Sequence, residues 1–377
     1  MTTDDINQGL EGVPVAATRL SSIDGDAGEL IIGGFPLAEL ATNATYEETV
    51  YLLFHDRLPE ADELDAFQAT LAENRPIGEN VKAVLQQAAE EEKPAMDALR
   101  MGAAAANLDY EDGDAEDDAL RVIAAFPTIV AAYWRYRQGE EPVDPDPDLR
   151  HAANYLYMLT GERQPESAAR GLETYLNTVV DHGLNASTFT ARVVVSTESD
   201  VVSAATAAVG TLKGPLHGGA PGPVLDMLEN VYESGDPEGY VREKLESGER
   251  LMGFGHRVYR VRDPRAAVLS TAAERFYADD GDSDFFETVT EFEDVAVDLL
   301  AEYKPDRTLE TNVEFYTATL LHGVGVPRDL FTTTFAIARA GGWMAHCLEQ
   351  LDDNRLIRPT SKYVGETDRT WTSVEQR

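Results

Sequence analysis

The sequence carries a single cysteine, Cys347, in 377 residues, and only six of its 31 basic residues are lysine. One thiol excludes an internal disulfide framework and fits a reducing compartment. Long apolar runs are missing as well. The longest, Val122 to Trp134, is about a dozen residues, is interrupted by Pro127, and falls short of the roughly 20 that a membrane-crossing helix needs. The opening "MTTDDINQGLEG" lacks the basic-then-apolar order of a secretory leader, so a soluble cytoplasmic protein is expected. Metal-ligand spacings are absent: there is no His-x-x-x-His, no HExxH and no cysteine pair. "GTLKGP" is not a phosphate-binding loop, "GFGHRV" lacks the third glycine of a dinucleotide fingerprint, and no GxSxG occurs. Neither a metal nor a cofactor is expected.

Positive charge is scarce too, with 68 acidic residues against 31 basic ones and a net charge of −37. The acid is spread along the chain, in runs such as "DYEDGDAEDD" (109–118) and "DPDPD" (144–148). In dilute buffer this much like charge repels itself; in molar salt the Debye length shrinks to roughly 3 Å and the repulsion is screened. A salt-loaded cytoplasm is the expected setting. Nucleic acid and anionic membranes, both negatively charged, are excluded as partners on the same ground.

What the sequence does have is helical periodicity. "TYEETVYLLFHDRL" (45–58) opens with a capping-box pattern, and the 3.6-residue spacing recurs in "NVKAVLQQAAEE", "DALRVIAAFPTIVAAYWRYRQG", "LRHAANYLYMLTG", "PESAARGLETYLNTVVDHG" and "LFTTTFAIARAGGWMAHCLEQL". Strand-like stretches are confined to residues 10–34, where a small hairpin is expected. The fold class is therefore mainly α. Gly/Pro-rich joints at 212–223, 251–265 and 322–329 break this pattern. They suggest a large helical domain (1–215), a smaller inserted one (216–325) and a return to the first (326–377), with hinges near 213–223 and 322–329.

Three of the seven histidines sit in unusual local contexts: His182 in "VVDHGLNASTF", His217 in "GPLHGG" and His256 in "GFGHRVYR". Glycine beside an imidazole lets a ligand approach it closely. After His256 come Arg257, Arg260, Arg262 and Arg265, a concentration of guanidinium groups that matches the two-point geometry of carboxylates and phosphates. A small polyanion is the expected ligand. Glu314, in "ETNVEFYTATLLHG", has two readings at this point: a helix-start glutamate favoured by the macrodipole, or a general base tuned by burial.

Taken together, "LKGPLHGGA", "GFGHRVYRVRDPR", "NVEFYT" and "ARAGGWMAHCLEQ…RLIRPTSKYVG" resemble the citrate synthase family, in family order, from about residue 10 to about 365. The resemblance implies a mostly helical homodimer that condenses acetyl-CoA with oxaloacetate and hydrolyses citryl-CoA. It implies that His217 donates a hydrogen bond to the thioester carbonyl, that His256 polarises the oxaloacetate ketone, and that Glu314 removes a methyl proton. Arg265, Arg339 and Arg358 match the binders of the substrate carboxylates, Arg358 reaching across the dimer, with His182, Asn185 and Phe335 beside them. Leu251, Met252, Gly253, Phe254 and Gly255 fall where the family holds the CoA adenine, and Arg260 where it meets a CoA phosphate. One departure stands out: the family motif is "NVDFYS"-like, whereas this chain has Glu314 and Thr317, and glutamate reaches about 1.5 Å further. The alternatives are a 2-methylcitrate synthase that takes propionyl-CoA, or a homologue that binds CoA or citrate and is catalytically impaired by Glu314.

Overall fold

The computed structural model describes residues 6–10, 12–106, 108, 113–218, 221–255, 259, 261–307 and 309–377. Among them are sixteen α-helices and one three-stranded sheet, in agreement with a mainly α class. No helix there is long and apolar enough to cross a membrane.

The expected hairpin is present. Strand β1 (Ser21–Asp24) pairs antiparallel with β2 (Glu29–Ile32), Ser21 opposite Ile32 and Asp24 opposite Glu29. The Asp24 carboxylate accepts from the N–H groups of Asp26 and Ala27, which folds the connecting turn. A third strand too short for a sequence pattern to reveal, β3 (Phe35–Pro36), adds to the far edge of β2. The turn's Gly28 has φ +70°, and a Cβ there would lie 2.7 Å from Val261, so the hairpin tip packs against the arginine-rich segment.

Helix starts follow their caps. Thr45 accepts from the Glu48 N–H and the Glu48 carboxylate accepts from the Thr45 N–H, which begins the helix Tyr46–His55. That helix stops before residue 58 because Asp56 turns left-handed at φ 59°. The helix Ala115–Arg137 runs through Pro127, in keeping with the helical pattern of 118–139: its middle is buried on every side, and packing holds the element where the proline removes a backbone donor.

At the centre lies the helix Phe331–Asp352, nearly all of whose residues from Thr333 to Cys347 are buried. It packs on Ala115–Arg137, Ala186–Val195, Glu166–Val179 and Val201–Leu212. Close approach needs small residues. A Cβ on Gly342 would sit 2.3 Å from the Val180 carbonyl oxygen, so the helix and the 180–183 loop meet backbone to backbone. Gly342→Ala is expected to cost about 1–3 kcal/mol by forcing that contact apart, read as a lower urea midpoint at unchanged slope.

Two of the Gly/Pro joints end helices as expected, at Leu212 and Gly323. In the third, Phe254 bridges Thr311, the Gly255 N–H donates to the Glu310 carbonyl, and the Asn312 N–H donates to the Gly253 carbonyl. The 253–255 segment is thereby fastened to the residues immediately ahead of Glu314.

Candidate active site

A cavity of about 960 Å³ is lined by His182, Asn185, His217, Arg265, Glu314, Phe335 and Arg339, together with parts of the N-terminal segment 9–16. Residues separated by more than 150 positions in sequence thus meet around one space of small-molecule size.

Glu314 and Arg265 are set side by side by Asp263. Asp263 caps the helix Pro264–Asp279, its carboxylate accepting from the Arg265 N–H at 3.0 Å. The same carboxylate takes the Arg265 guanidinium two-pronged, Nε to Oδ1 at 3.0 Å and Nη2 to Oδ2 at 2.8 Å. It also accepts from the Val313 N–H at 3.3 Å, which ties in the start of the helix Val313–Gly323. Asn312 caps that helix through the Glu314 N–H at 2.9 Å. The first turns of two helices therefore converge, one bringing a guanidinium and the other a carboxylate. Burial raises the Glu314 pKa to about 7, against the pull of Arg265 and with help from Asp263. Its Oε2 is buried and has no hydrogen-bond partner among the described residues. A carboxylate in that state can take a proton near neutral pH.

Arg339, mid-helix and only 2% exposed, donates from Nε to the Val179 carbonyl at 2.8 Å and lies 4.8 Å from the centre of the Phe335 ring one turn earlier. Among the described residues no carboxylate forms an ion pair with it. Burial lowers its pKa to about 10, with Asp181 opposing and Arg265 adding to the fall, so the guanidinium stays charged at neutral pH. Arg339 beside the Asp263-paired Arg265 gives the cavity guanidinium donors that suit a carboxylate-bearing anion.

His217 occupies the turn after the helix Val201–Leu212. Its Nε2 accepts from the Ser187 backbone N–H at 3.2 Å and lies 2.8 Å from the Ser187 hydroxyl. A backbone N–H only donates, so Nε2 is bare and the ring proton is on Nδ1. Burial, then the charge on Arg339, hold the His217 pKa below the usual histidine range. The ring is therefore a neutral donor at physiological pH. Ser187 is itself fixed by Trp343 Nε1–H at 3.0 Å and by Asn185, whose Oδ1 caps the helix Ala186–Val195. Asn185 thus acts through Ser187 on His217 as well as lining the cavity. His182 Nε2 is 3.0 Å from the Tyr259 hydroxyl.

The other expected residues are placed differently. Leu251 is buried and the Phe254 ring packs against Phe292 and Phe315, so in 251–255 it is chiefly backbone that can meet a ligand; this segment lies beside the cavity rather than lining it. Arg262 pairs with Glu293 at 3.0 Å. Arg358 is exposed on the segment following the helix Phe331–Asp352 and does not line this chain's cavity. His256 and Arg260, with Arg257, lie outside the described residues. Among those described, no group of three or more His, Cys, Asp or Glu side chains is placed to hold a metal ion. Sequence reasoning passed over the roles of Asp263, Ser187 and Tyr259. The Asp-Pro helix start ahead of Arg265 was a visible sign of the first, and Asn-Ala-Ser-Thr of the second.

Residues 9–360 match the family model described as citrate synthase, C-terminal domain. The chain is 45% identical to the citrate synthase of Haloferax volcanii over 99% of each sequence. It is 34% identical to the 2-methylcitrate synthase of Shewanella oneidensis, over 98% of this chain and 97% of that one. The solved ternary complex of the Thermoplasma acidophilum citrate synthase with carboxymethyl coenzyme A and oxaloacetate superposes with a TM-score of 0.88 at 29% identity, covering 99% of this chain and 100% of that one.

Proposed function

The chain belongs to the citrate synthase family of acyltransferases, and from that premise we propose that it condenses acetyl-CoA with oxaloacetate and hydrolyses the citryl-CoA formed. The observation that carries this reading is the cavity itself: a near-neutral carboxylate base, a neutral imidazole donor and two buried guanidinium groups around one space. In this reading Glu314 takes a proton from the acetyl methyl group. His217 Nδ1–H stabilises the enolate oxygen that develops on the thioester carbonyl. The nucleophilic carbon attacks the oxaloacetate ketone, whose carboxylates are held by Arg265 and Arg339 with His182, Asn185 and Phe335 around them. His256 is assigned to polarise that ketone and supply the proton to the new alkoxide, and Arg260 and the 251–255 backbone to hold CoA. No cofactor enters.

The enzyme acts as a cytoplasmic homodimer in which Arg358 serves the partner's site; its exposure, and its lying outside the lining of its own cavity, support this. Residues 216–325 form a smaller domain that closes on the rest, excluding water until the carbon–carbon bond is made. The sparse lysine and net charge of −37 support life in concentrated salt.

Thiol release from acetyl-CoA, with and without oxaloacetate, in molar KCl and in dilute buffer, tests this reading. The expected result is release that requires oxaloacetate, runs faster with acetyl-CoA than with propionyl-CoA, and decays in dilute buffer as self-repulsion returns. Faster release with propionyl-CoA would assign the chain to 2-methylcitrate synthesis instead. Absence of release from folded protein in molar KCl would defeat both.

A further inference from the structure

Behind the cavity, the loop that carries His182 is held by groups that the mechanism above does not use. Asp181 is fully buried, and its Oδ2 accepts from the Ser21 hydroxyl at 2.5 Å. The same hydroxyl accepts from the Gly183 N–H at 3.0 Å. Ser21 on strand β1 thus grips the residues on both sides of His182. The grip is tight, because Gly183 stands at φ +50° and a Cβ on it would lie 3.3 Å from Ile23 of the same strand. The position of Asp181 is fixed in turn. His346 Nε2 lies 3.3 Å from both its oxygens, and Arg192 Nη1 donates to His346 Nδ1 at 3.0 Å. An arginine cannot accept, so the His346 proton is on Nε2 and points at Asp181. Arg192 also binds Glu349 at 2.6 Å, and Glu349 accepts from the Arg19 N–H at 2.9 Å, two residues before Ser21. Strand β1 is therefore anchored to the central helix at the point where it reaches the loop.

We infer that Ser21 is a positioning residue for substrate binding: its hydroxyl, shared between Asp181 and Gly183, sets the direction in which His182 faces the cavity. The inference rests on the reading of oxaloacetate as the ligand beside His182. Ser21 is half-buried on a small edge sheet, so its side chain can be changed without opening the core.

The test compares wild type, Ser21→Ala and Ser21→Thr by steady-state kinetics for each substrate and by calorimetric titration with oxaloacetate. Ser21→Ala is expected to raise the KM and Kd for oxaloacetate roughly three- to tenfold, the worth of one supporting hydrogen bond, while the KM for acetyl-CoA stays within about twofold. Ser21→Thr, which keeps the hydroxyl, is expected to restore oxaloacetate binding; a purely packing role would not separate the two substrates or respond to that rescue. Wild type that binds oxaloacetate together with Ser21→Ala that binds it equally well overturns this inference alone, as does an equal rise in both KM values. Wild type that binds no oxaloacetate overturns the functional reading and this inference with it.

Discussion

Glu314→Gln is expected to lower kcat by about 10²–10⁴-fold and, at the same time, to make the free protein more stable at about pH 8. The two effects have one cause. Burial lifts the Glu314 pKa from 4.5 to about 7. Between those values the folded protein keeps a proton that the unfolded chain has released. Stability therefore falls as pH rises through that window, and the whole penalty stands once the folded group has ionised. A shift of this size corresponds to a penalty on the order of 3–4 kcal/mol. Glutamine carries no charge and escapes it. Urea unfolding of the two proteins should show the variant ahead at about pH 8 and the curves converging as pH falls toward about 5. Wild-type kcat/KM should fall on the acid side of about pH 7, where the base becomes protonated. A Glu314→Gln protein that keeps its rate, or a wild type whose rate is flat through neutral pH, would remove Glu314 from the role of base. Glu314→Asp withdraws the carboxylate by one methylene and is expected to slow the reaction, since displacements near 1 Å cost on the order of a hundredfold. A faster Glu314→Asp enzyme would mean instead that glutamate impairs this site.

Much of the helical framework was legible because its signals are local. The Thr45–Glu48 capping box lies within four residues, and the 3.6-residue pattern of the central helix is complete within itself. Three of the site's chemical groups were legible for a related reason: glycines beside His217, an Asp-Pro start beside Arg265 and an asparagine cap before Glu314 each mark a backbone break where a side chain can face a ligand. What could not be read was how these groups are tuned. The proton on His217 Nδ1 depends on the Ser187 N–H, thirty residues away, and Ser187 depends on Trp343, another 156 residues on. The raised pKa of Glu314 is a property of what surrounds it, and no spacing in "NVEFYT" encodes that. Pro127 stays inside its helix, as the apolar pattern on both sides of it implied, because the whole middle of that helix is packed. The third strand is two residues long, too short to carry a period.

His217→Ala is expected to cost about 10²–10³-fold in kcat with little change in the KM for acetyl-CoA, because the lost donor acts on charge that exists only in the transition state. The geometry permits a sharper version. Nε2 is committed to Ser187, so only Nδ1–H is left to face a substrate. An asparagine amide can place an N–H close to where Nδ1 stands, whereas a glutamine amide reaches toward the position of Nε2, where its oxygen accepts from the Ser187 N–H and no N–H is left at the Nδ1 position. His217→Asn should therefore retain more activity than His217→Ala, and His217→Gln should not. The donor is neutral, held so by burial and by Arg339, so no loss of rate from His217 deprotonation is expected above neutral pH. An imidazolium donor would behave oppositely, its contribution fading as the pH climbed past its pKa. Equal activities for the Asn and Gln variants, or an alkaline limb that His217→Asn abolishes, would place the working proton on the other nitrogen.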